Sequence, residues 1–476
     1  MYKPLVRVSP SEAQLSSKVL LELIGKLDKM SEMHSIMIAK GGKVCAEGFW
    51  RPYAAGLNHC LWSQSKSYTI TAIGKLIDEG KLNINEKVCE ILCDYMPKEM
   101  NDDLRKMTVR DLMCMLSGQH GPQSRTTPTW EEDFFKGDFY GTGEEFGYSG
   151  ICSSLLGVIL HVKTGCSLIE YLDERVFEKI GIDAKSIKCM EHPDGIQYGG
   201  GGFMTKTEDS LRLGLLYANL GMWDGERVIS EEFIKSATSK QTETTNDYSS
   251  DNGCGYGYQI WMCKPEGVYR FDGAHGQYVI VDPKNDIVIS IMQKGGGQEQ
   301  LDVIWEALSE INGSTPEYDN ELKYVLDRLA MPKDKILPYS KNESEFIGKD
   351  IKFPENELYI FSSMLAVFSY KVPKGVDAIR FNKKEGYLDT FLSHGGKKYQ
   401  IQISLDGADR LSTMYIDYDM PSLVYAYGYF ISDNELMLKF KFIEGAFETE
   451  HILKINDDGK FTFKNNFRGG GEVVSV

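Results

Sequence analysis

The sequence predicts an α/β (α+β) chain in two parts, a large region of mixed helices and strands followed by a smaller antiparallel β-rich one. Three observations carry that reading. Helical and strand periodicities alternate through the first part, whereas the last part shows short alternating runs with little helix. All ten cysteines fall between Cys45 and Cys263, and none follows. Between the two textures Pro332, Lys333, Asp334, Lys335 and Pro338 read as a linker, so the expected division is 1–331 and 332–476.

The first part opens on Ser9-Pro10-Ser11-Glu12, with Ser at an N-cap, Pro at the first helical position and Glu where a capping box needs it. Leu15, Val19, Leu20, Leu23 and Leu27 keep helical spacing after it, which predicts an amphipathic helix. Two β-rich runs, Ser35 to Ala39 and Lys43 to Phe49, are joined by Gly41-Gly42, a hairpin signal. Further helices are predicted over Leu301 to Ile311 and Glu317 to Leu329. In the tail, Tyr399 to Leu405, Leu423 to Ile431 and Leu436 to Phe442 alternate between turn signals at Asp406-Gly407, Ser432-Asp433-Asn434 and Asp457-Asp458-Gly459. Such closely spaced antiparallel strands predict a small barrel or sandwich.

Composition bounds the function. Hydrophobic residues at 42% and charged residues at 26% match a globular chain able to bury a large core. The 53 basic against 69 acidic residues give a net charge of −16, with no dense basic cluster, which argues against nucleic acid and anionic membrane surfaces as partners. Met1 to Pro10 carries no apolar signal region and no long apolar stretch follows, so the chain reads as cytoplasmic. The cysteines lack a Cys-x-x-Cys motif and read as reduced thiols; Cys89 and Cys93, one turn apart, are expected to pack in an apolar helix face rather than bind metal.

The chemistry concentrates at Trp62-Ser63-Gln64-Ser65-Lys66-Ser67. Ile70, Ile73, Leu76 and Ile77 follow at helical spacing, placing Ser63 near a helix start and Lys66 one turn later on the same face. A serine hydroxyl needs a nearby base to become a nucleophile, and a lysine amine in a desolvated site can supply one. Ser-x-x-Lys is a weak pattern alone, since a solvated helix face produces it readily. Here Ser63 is the only serine with lysine three residues on, and its flanks are apolar, so a buried lysine needs a reason.

With these residues the chain resembles the serine β-lactamase and penicillin-binding protein superfamily, and within it the class C-like serine hydrolases and esterases. The resemblance runs through Ser63-x-x-Lys66-Ser67, Met107 to Met113 leading to Leu116-Ser117-Gly118, and Phe146-Gly147-Tyr148-Ser149-Gly150 leading to Leu155-Leu156-Gly157. It continues through Gly199 to Gly202 with Thr205, Glu208 and Asp209, Gly255-Tyr256-Gly257-Tyr258, and Gly273 to Pro283. It implies an antiparallel sheet flanked by helices, a serine nucleophile at Ser63, and proton transfer shared by Lys66 and Tyr148. No metal or organic cofactor is implied.

Two family motifs are altered. In the family's Tyr-x-Asn motif the asparagine helps to hold the substrate and the lysine; Tyr148 matches the tyrosine, and Gly150 stands at the asparagine. The Lys-Thr-Gly or His-x-Gly triplet corresponds to Phe271-Asp272-Gly273, without its basic residue. His275, four residues past Phe271, is either a substitute in space or a turn histidine between Gly273 and Gly276. The resemblance also implies an oxyanion hole from the backbone N–H groups of Ser63 and Ala274, so Gly150, Asp272, Gly273, Ala274 and His275 are the expected substrate-facing positions. Gly273 and Gly276 are expected to let this strand edge approach the acyl group. Ser393-His394-Gly395-Gly396 imitates His-x-Gly but lies in the β-rich tail, where a hairpin turn is the better reading.

The function that follows is a serine hydrolase cleaving an ester or amide bond of a small acyl or peptide substrate through an acyl-enzyme. The altered motifs weigh against β-lactam hydrolysis. A β-lactamase or D-amino-acid peptidase is the alternative within enzymes, and a penicillin-recognising or ligand-sensing protein with lost or weak turnover is the alternative outside them. Oligomeric state leaves no trace in the sequence.

Overall fold

The computed structural model describes residues 4–121, 127–244, 249–332, 339–352, 376–394, 397–415, 421–445, 447–467 and 470–475. Contacts divide the chain into two compact units, Met1–Leu329 and Ala330–Val476. Of the linker residues, Lys333, Asp334, Lys335 and Pro338 lie outside the described residues.

Unit one is built on a six-stranded antiparallel sheet. Its strands are β1 (Glu32–Lys40), β2 (Lys43–Phe49), β3 (Trp261–Met262), β4 (Tyr269–Gly273), β5 (Gln277–Asp282) and β6 (Ile287–Lys294), in the spatial order β3-β4-β5-β6-β1-β2. The Gly41-Gly42 hairpin forms as the dipeptide predicts, both glycines holding the left-handed φ that this turn needs, 58° and 73°. β1 and β6 are buried almost throughout, because helices cover both faces of the sheet.

The principal helices are α1 (Ser17–Met30), α2 (Ser65–Asp78), α3 (Gly150–Thr164), α4 (Thr207–Ala218) and α5 (Gln298–Glu310). α1 and α5 pack together, α4 lies against β5 and β6, and α2 packs against α3 in the largest apolar cluster. α3 is hydrophobic nearly all round and buried through its first three turns, as a central helix should be. It starts on Ser149, whose Oγ accepts from Ile151 N at 3.2 Å, and ends at Gly165 with φ 73°.

Two local expectations need correction. The Ser9 to Glu12 box forms, with Ser9 N donating to Glu12 Oε2 at 2.7 Å and Glu12 N to Ser9 Oγ at 3.3 Å. It closes only a single turn: Gln14 is left-handed at φ 58°, Leu15 bridges Asn312, and α1 begins after its own N-cap, Ser16. The Cys89 and Cys93 pair does not share a buried helix face, because the helix of Val88–Ile91 stops before Cys93, which is exposed.

Unit two contains, among the described residues, a ten-stranded, nearly closed barrel-like sheet. Tyr399 to Leu405 falls in the strand Lys397–Ser404 but for Leu405, one residue past its end, Leu423 to Ile431 falls in Pro421–Ser432, and Leu436 to Phe442 in Glu435–Phe442. His394 pairs with Lys397 at the end of a hairpin, and the intervening Gly395 and Gly396 lie outside the described residues.

Leu155 of α3 and Ile70 and Ile73 of α2 are fully buried in one cluster, so the α2 to α3 contact holds together the helix after Ser63 and the helix after Tyr148. Leu155→Ala is expected to lower unfolding stability by about 2–5 kcal/mol in chemical denaturation and to lower any activity that depends on that alignment.

Candidate active site

Ser63 lies in a 3-10 turn, Trp62–Gln64, that runs directly into α2. Trp62 has φ 50°, a left-handed conformation that costs a bulky residue energy and persists only where surrounding contacts enforce it. Those contacts are present on both sides. Leu61 N donates to Phe203 O at 2.9 Å, and the preceding His59–Cys60 strand pairs with Met204 and Thr205. Ser67 Oγ donates to Gln64 O at 2.7 Å from within α2.

Lys66 follows one turn later and is only 2% exposed. Its Nζ lies 3.0 Å from Ser63 Oγ and donates to Gly200 O at 2.6 Å. Neighbouring polar residues of α2 make parallel contacts: Thr69 Oγ1 donates to Gly199 O at 2.9 Å, and Ser65 Oγ accepts from Phe203 N at 3.1 Å. One polar stripe of α2 is thus stitched to the backbone of the glycine run.

That run is needed for space. None of Gly199 to Gly202 is left-handed, but a Cβ on Gly199 would lie 2.6 Å from Thr69 Oγ1, and one on Gly200 would lie 2.4 Å from Gly150 O. The carbonyl gripping Lys66 therefore sits against the first residue of α3. Gly150 stands where the family has its asparagine, and the Lys66 amine is held by a backbone carbonyl.

Tyr148 precedes the Ser149 cap of α3, and its ring centroid is 4.9 Å from Lys66 Nζ. Its segment is pinned to the Leu116-Ser117-Gly118 region, with Gly147 N donating to Met115 O at 2.8 Å. The ring is 42% exposed and stacks on Trp261 at 5.6 Å, with Tyr256 edge-on at 6.2 Å. Burial pushes the Tyr256 hydroxyl well above the usual phenol range, and this buried oxygen has no hydrogen-bond partner.

The end of β4 presses against the nucleophile turn. A Cβ on Gly273 would lie 2.1 Å from Leu61 O and 3.1 Å from Gln64 N, and one on Gly276 would lie 2.3 Å from Gln293 Nε2. Gly276 also holds φ 85°, and its Cβ would lie 2.7 Å from Gly296 Cα, so at both positions glycine permits backbone to meet backbone. Ala274 follows, exposed, and His275 sits in the turn to β5 with φ 65° and its ring edge-on to Trp62 at 5.5 Å. Its backbone carbonyl accepts from Gly295 N at 3.1 Å and Gly296 N at 3.2 Å.

Phe271 points away from this cluster, edge-on to Tyr217 of α4 at 5.0 Å. Strand alternation turns Arg270 and Asp272 to the opposite face. Arg270 Nε donates to Asp272 Oδ2 at 2.6 Å and its Nη2 to Asn252 Oδ1 at 2.7 Å. Burial raises the Asp272 carboxyl above its ordinary range, while Arg270 and Lys66 pull the other way. Ser63 with Lys66, Tyr148 with Gly150, Gly200, and Asp272 to His275 thus meet from four separate segments. Sequence reasoning missed Trp261, Arg270 and the Gly200 carbonyl: the first two carry no spacing signal, and a carbonyl has no sequence identity.

A serine and a buried lysine one turn apart, at the edge of an antiparallel sheet among helices, define the serine hydrolase class. The family model described as Beta-lactamase matches residues 31–311, and the chain belongs to the beta-lactamase family. It is similar to the 6-aminohexanoate-dimer hydrolase of Paenarthrobacter ureafaciens, 25% identical over 283 residues covering 54% of this chain and 71% of that protein. Among solved structures, a novel penicillin-binding protein homolog from Caulobacter crescentus aligns with a TM-score of 0.52 at 16% identity, over 65% of this chain and 99% of that one. EstCE1, a hydrolase with promiscuous acyltransferase activity, aligns with a TM-score of 0.51 at 16% identity, over 63% and 99%.

Because a Cβ at residue 273 would collide with the turn that carries Ser63, Gly273→Val is expected both to lower Tm and to abolish turnover. A drop in kcat with an unchanged Tm would mean that the strand yields without disturbing the fold.

Proposed function

We propose that the protein hydrolyses an ester or amide bond of a small acyl or peptide substrate through an acyl-enzyme on Ser63. The observation that carries this is the Lys66 amine, buried and 3.0 Å from Ser63 Oγ. Lys66 Nζ takes the Ser63 proton as Oγ bonds to the substrate carbonyl carbon. The carbonyl oxygen becomes an oxyanion facing the backbone N–H groups of Ser63 and Ala274. Collapse expels the leaving group, which takes the proton through Lys66 and Tyr148. Water, deprotonated by the same pair, then attacks the acyl carbon and releases Ser63.

Preorganised oxyanion donors contribute about 3–4 kcal/mol each to a transition state, and neither donor here depends on a third-motif base. This supports activity despite the core-facing Phe271. The name of the similar 6-aminohexanoate-dimer hydrolase agrees with hydrolysis of a small non-β-lactam substrate. Among the described residues no single helix is long and apolar enough to cross a membrane. Residues 1–331 are proposed as the hydrolase domain and 332–476 as a separately folding appendage, for which limited proteolysis should cut first near Pro332 and leave two stable fragments.

Ser63→Ala is expected to remove labelling by a fluorophosphonate probe, read by intact mass, while circular dichroism stays unchanged. Labelling that survived would remove Ser63 from the mechanism. Lys66→Ala and Tyr148→Phe should each lower kcat by about 10²–10⁴-fold, and the double variant by far less than the product, since the groups act as a unit. p-Nitrophenyl acetate or butyrate should show a higher kcat/KM than a chromogenic cephalosporin. The reverse order would make the enzyme a β-lactamase, and silence on both with no labelling would favour a ligand-sensing protein.

A further inference from the structure

β4 carries an acid, Asp272, one residue past the position where the family's strand carries a base and on the opposite face of the strand from Phe271, which fills that position. Asp272 shares that face with Arg270, and the two differ sharply in exposure: the Arg270 side chain is 1% exposed and the Asp272 side chain 24%. Arg270 is spent on Asp272, Asn252 and the Met262 carbonyl. The ion pair thus turns its negative end outward and keeps its positive end inside the protein.

The surroundings of Asp272 suit a cation. Trp261 pairs with Arg270 across β3 and β4, and its ring stacks on the exposed Tyr148 ring at 5.6 Å. Cations already lie over both rings, Lys66 Nζ 4.9 Å from the Tyr148 centroid and Arg270 5.7 Å from that of Trp261, so an incoming alkylammonium group would meet the exposed part of the Tyr148 ring and pair with the partly exposed Asp272 carboxylate. The Lys66 amine is bound to Ser63 Oγ and Gly200 O. A net charge of −16 favours the approach of cations over anions. In the proton transfers proposed above Tyr148 serves the leaving group, so the aromatic and acidic patch beside it belongs to the leaving-group side.

We propose that Asp272, with the Tyr148 and Trp261 rings, forms a subsite for an alkylammonium group, so that the preferred esters or amides carry a positively charged amine in the portion that leaves. This rests on the reading of Ser63 as nucleophile and Tyr148 as its proton carrier. It reverses the charge preference that a basic third motif would impose, and it counts against substrates with a carboxylate near the scissile bond.

The test uses two thioacetates of nearly identical shape, acetylthiocholine and S-(3,3-dimethylbutyl) thioacetate, whose leaving groups differ by a quaternary nitrogen in place of a carbon. With each rate normalised to hydroxide hydrolysis, the full-length protein should favour the cationic thioester by about tenfold in kcat/KM. Asp272→Asn should collapse that ratio toward one, whatever its effect on the absolute rates. A ratio near one in the unaltered protein, or one unchanged by Asp272→Asn, overturns the subsite. If Asp272→Asn fails to fold because Arg270 loses its partner, competitive inhibition of the unaltered protein decides: n-butyltrimethylammonium must inhibit more tightly than pentanoate, and the opposite order overturns the proposal. Labelling of Ser63 and turnover of the neutral thioester without a cationic preference would sink the subsite and leave the hydrolase standing. Failure of labelling and of both thioesters would remove the hydrolase and the subsite together.

Discussion

A lysine amine held almost wholly out of water is the constraint around which this molecule is arranged. An unpartnered amine at such a depth costs several kcal/mol, so the fold must bring acceptors to it. The acceptors of Lys66 include the Ser63 hydroxyl, in the turn that runs into its helix, and the Gly200 carbonyl from a distant loop. The second requires backbone to lie flat against α2 and α3 together, which only glycine permits, as the collisions of a Cβ at Gly199 or Gly200 show. Thr69, Ser65 and the left-handed Trp62 then follow as devices that hold the same two backbones in register.

This arrangement also accounts for how the family's site persists with two of its motifs altered. Where a side-chain amide is absent at Gly150, a main-chain oxygen occupies the lysine, and the lack of a Cβ on Gly200, which would lie 2.4 Å from Gly150 O, is what lets that backbone lie against the start of α3. Where a base is absent from β4, the strand still presses its glycine against the nucleophile turn, so the position of Ala274 depends on backbone packing and not on the lost side chain. The next position along that strand carries a carboxylate on the face opposite Phe271, paired with an arginine buried behind it.

The aromatic cluster of Phe146, Tyr148, Tyr256 and Trp261 links these features. Its members come from two chain segments and meet edge-on, tilted or stacked at 4.9 to 6.5 Å. It positions the Tyr148 ring over the Lys66 amine while leaving that ring open to solvent, a combination that suits a group expected to touch both the lysine and a substrate.

Much of this was legible in the chain itself. The Gly41-Gly42 hairpin, the helix after Ser63 and the alternating strands of the tail depend on neighbours within a few residues, and local chemistry decides them. The Ser9 to Glu12 box shows where that reach ends: the capping hydrogen bonds formed, but a bridge from Leu15 to Asn312, distant in sequence, stopped the helix after one turn. Ser63 and Lys66 were visible because one helical turn fixes their spacing, and Tyr148 was visible through a motif. The Gly200 carbonyl, the Trp261 wall, the inward turn of Phe271 and the outward carboxylate of Asp272 were decided only by tertiary structure. Backbone acceptors carry no side-chain signature, and the face a strand residue presents depends on which layer packs behind the sheet, here α4 with Tyr217, which the local sequence of β4 does not contain.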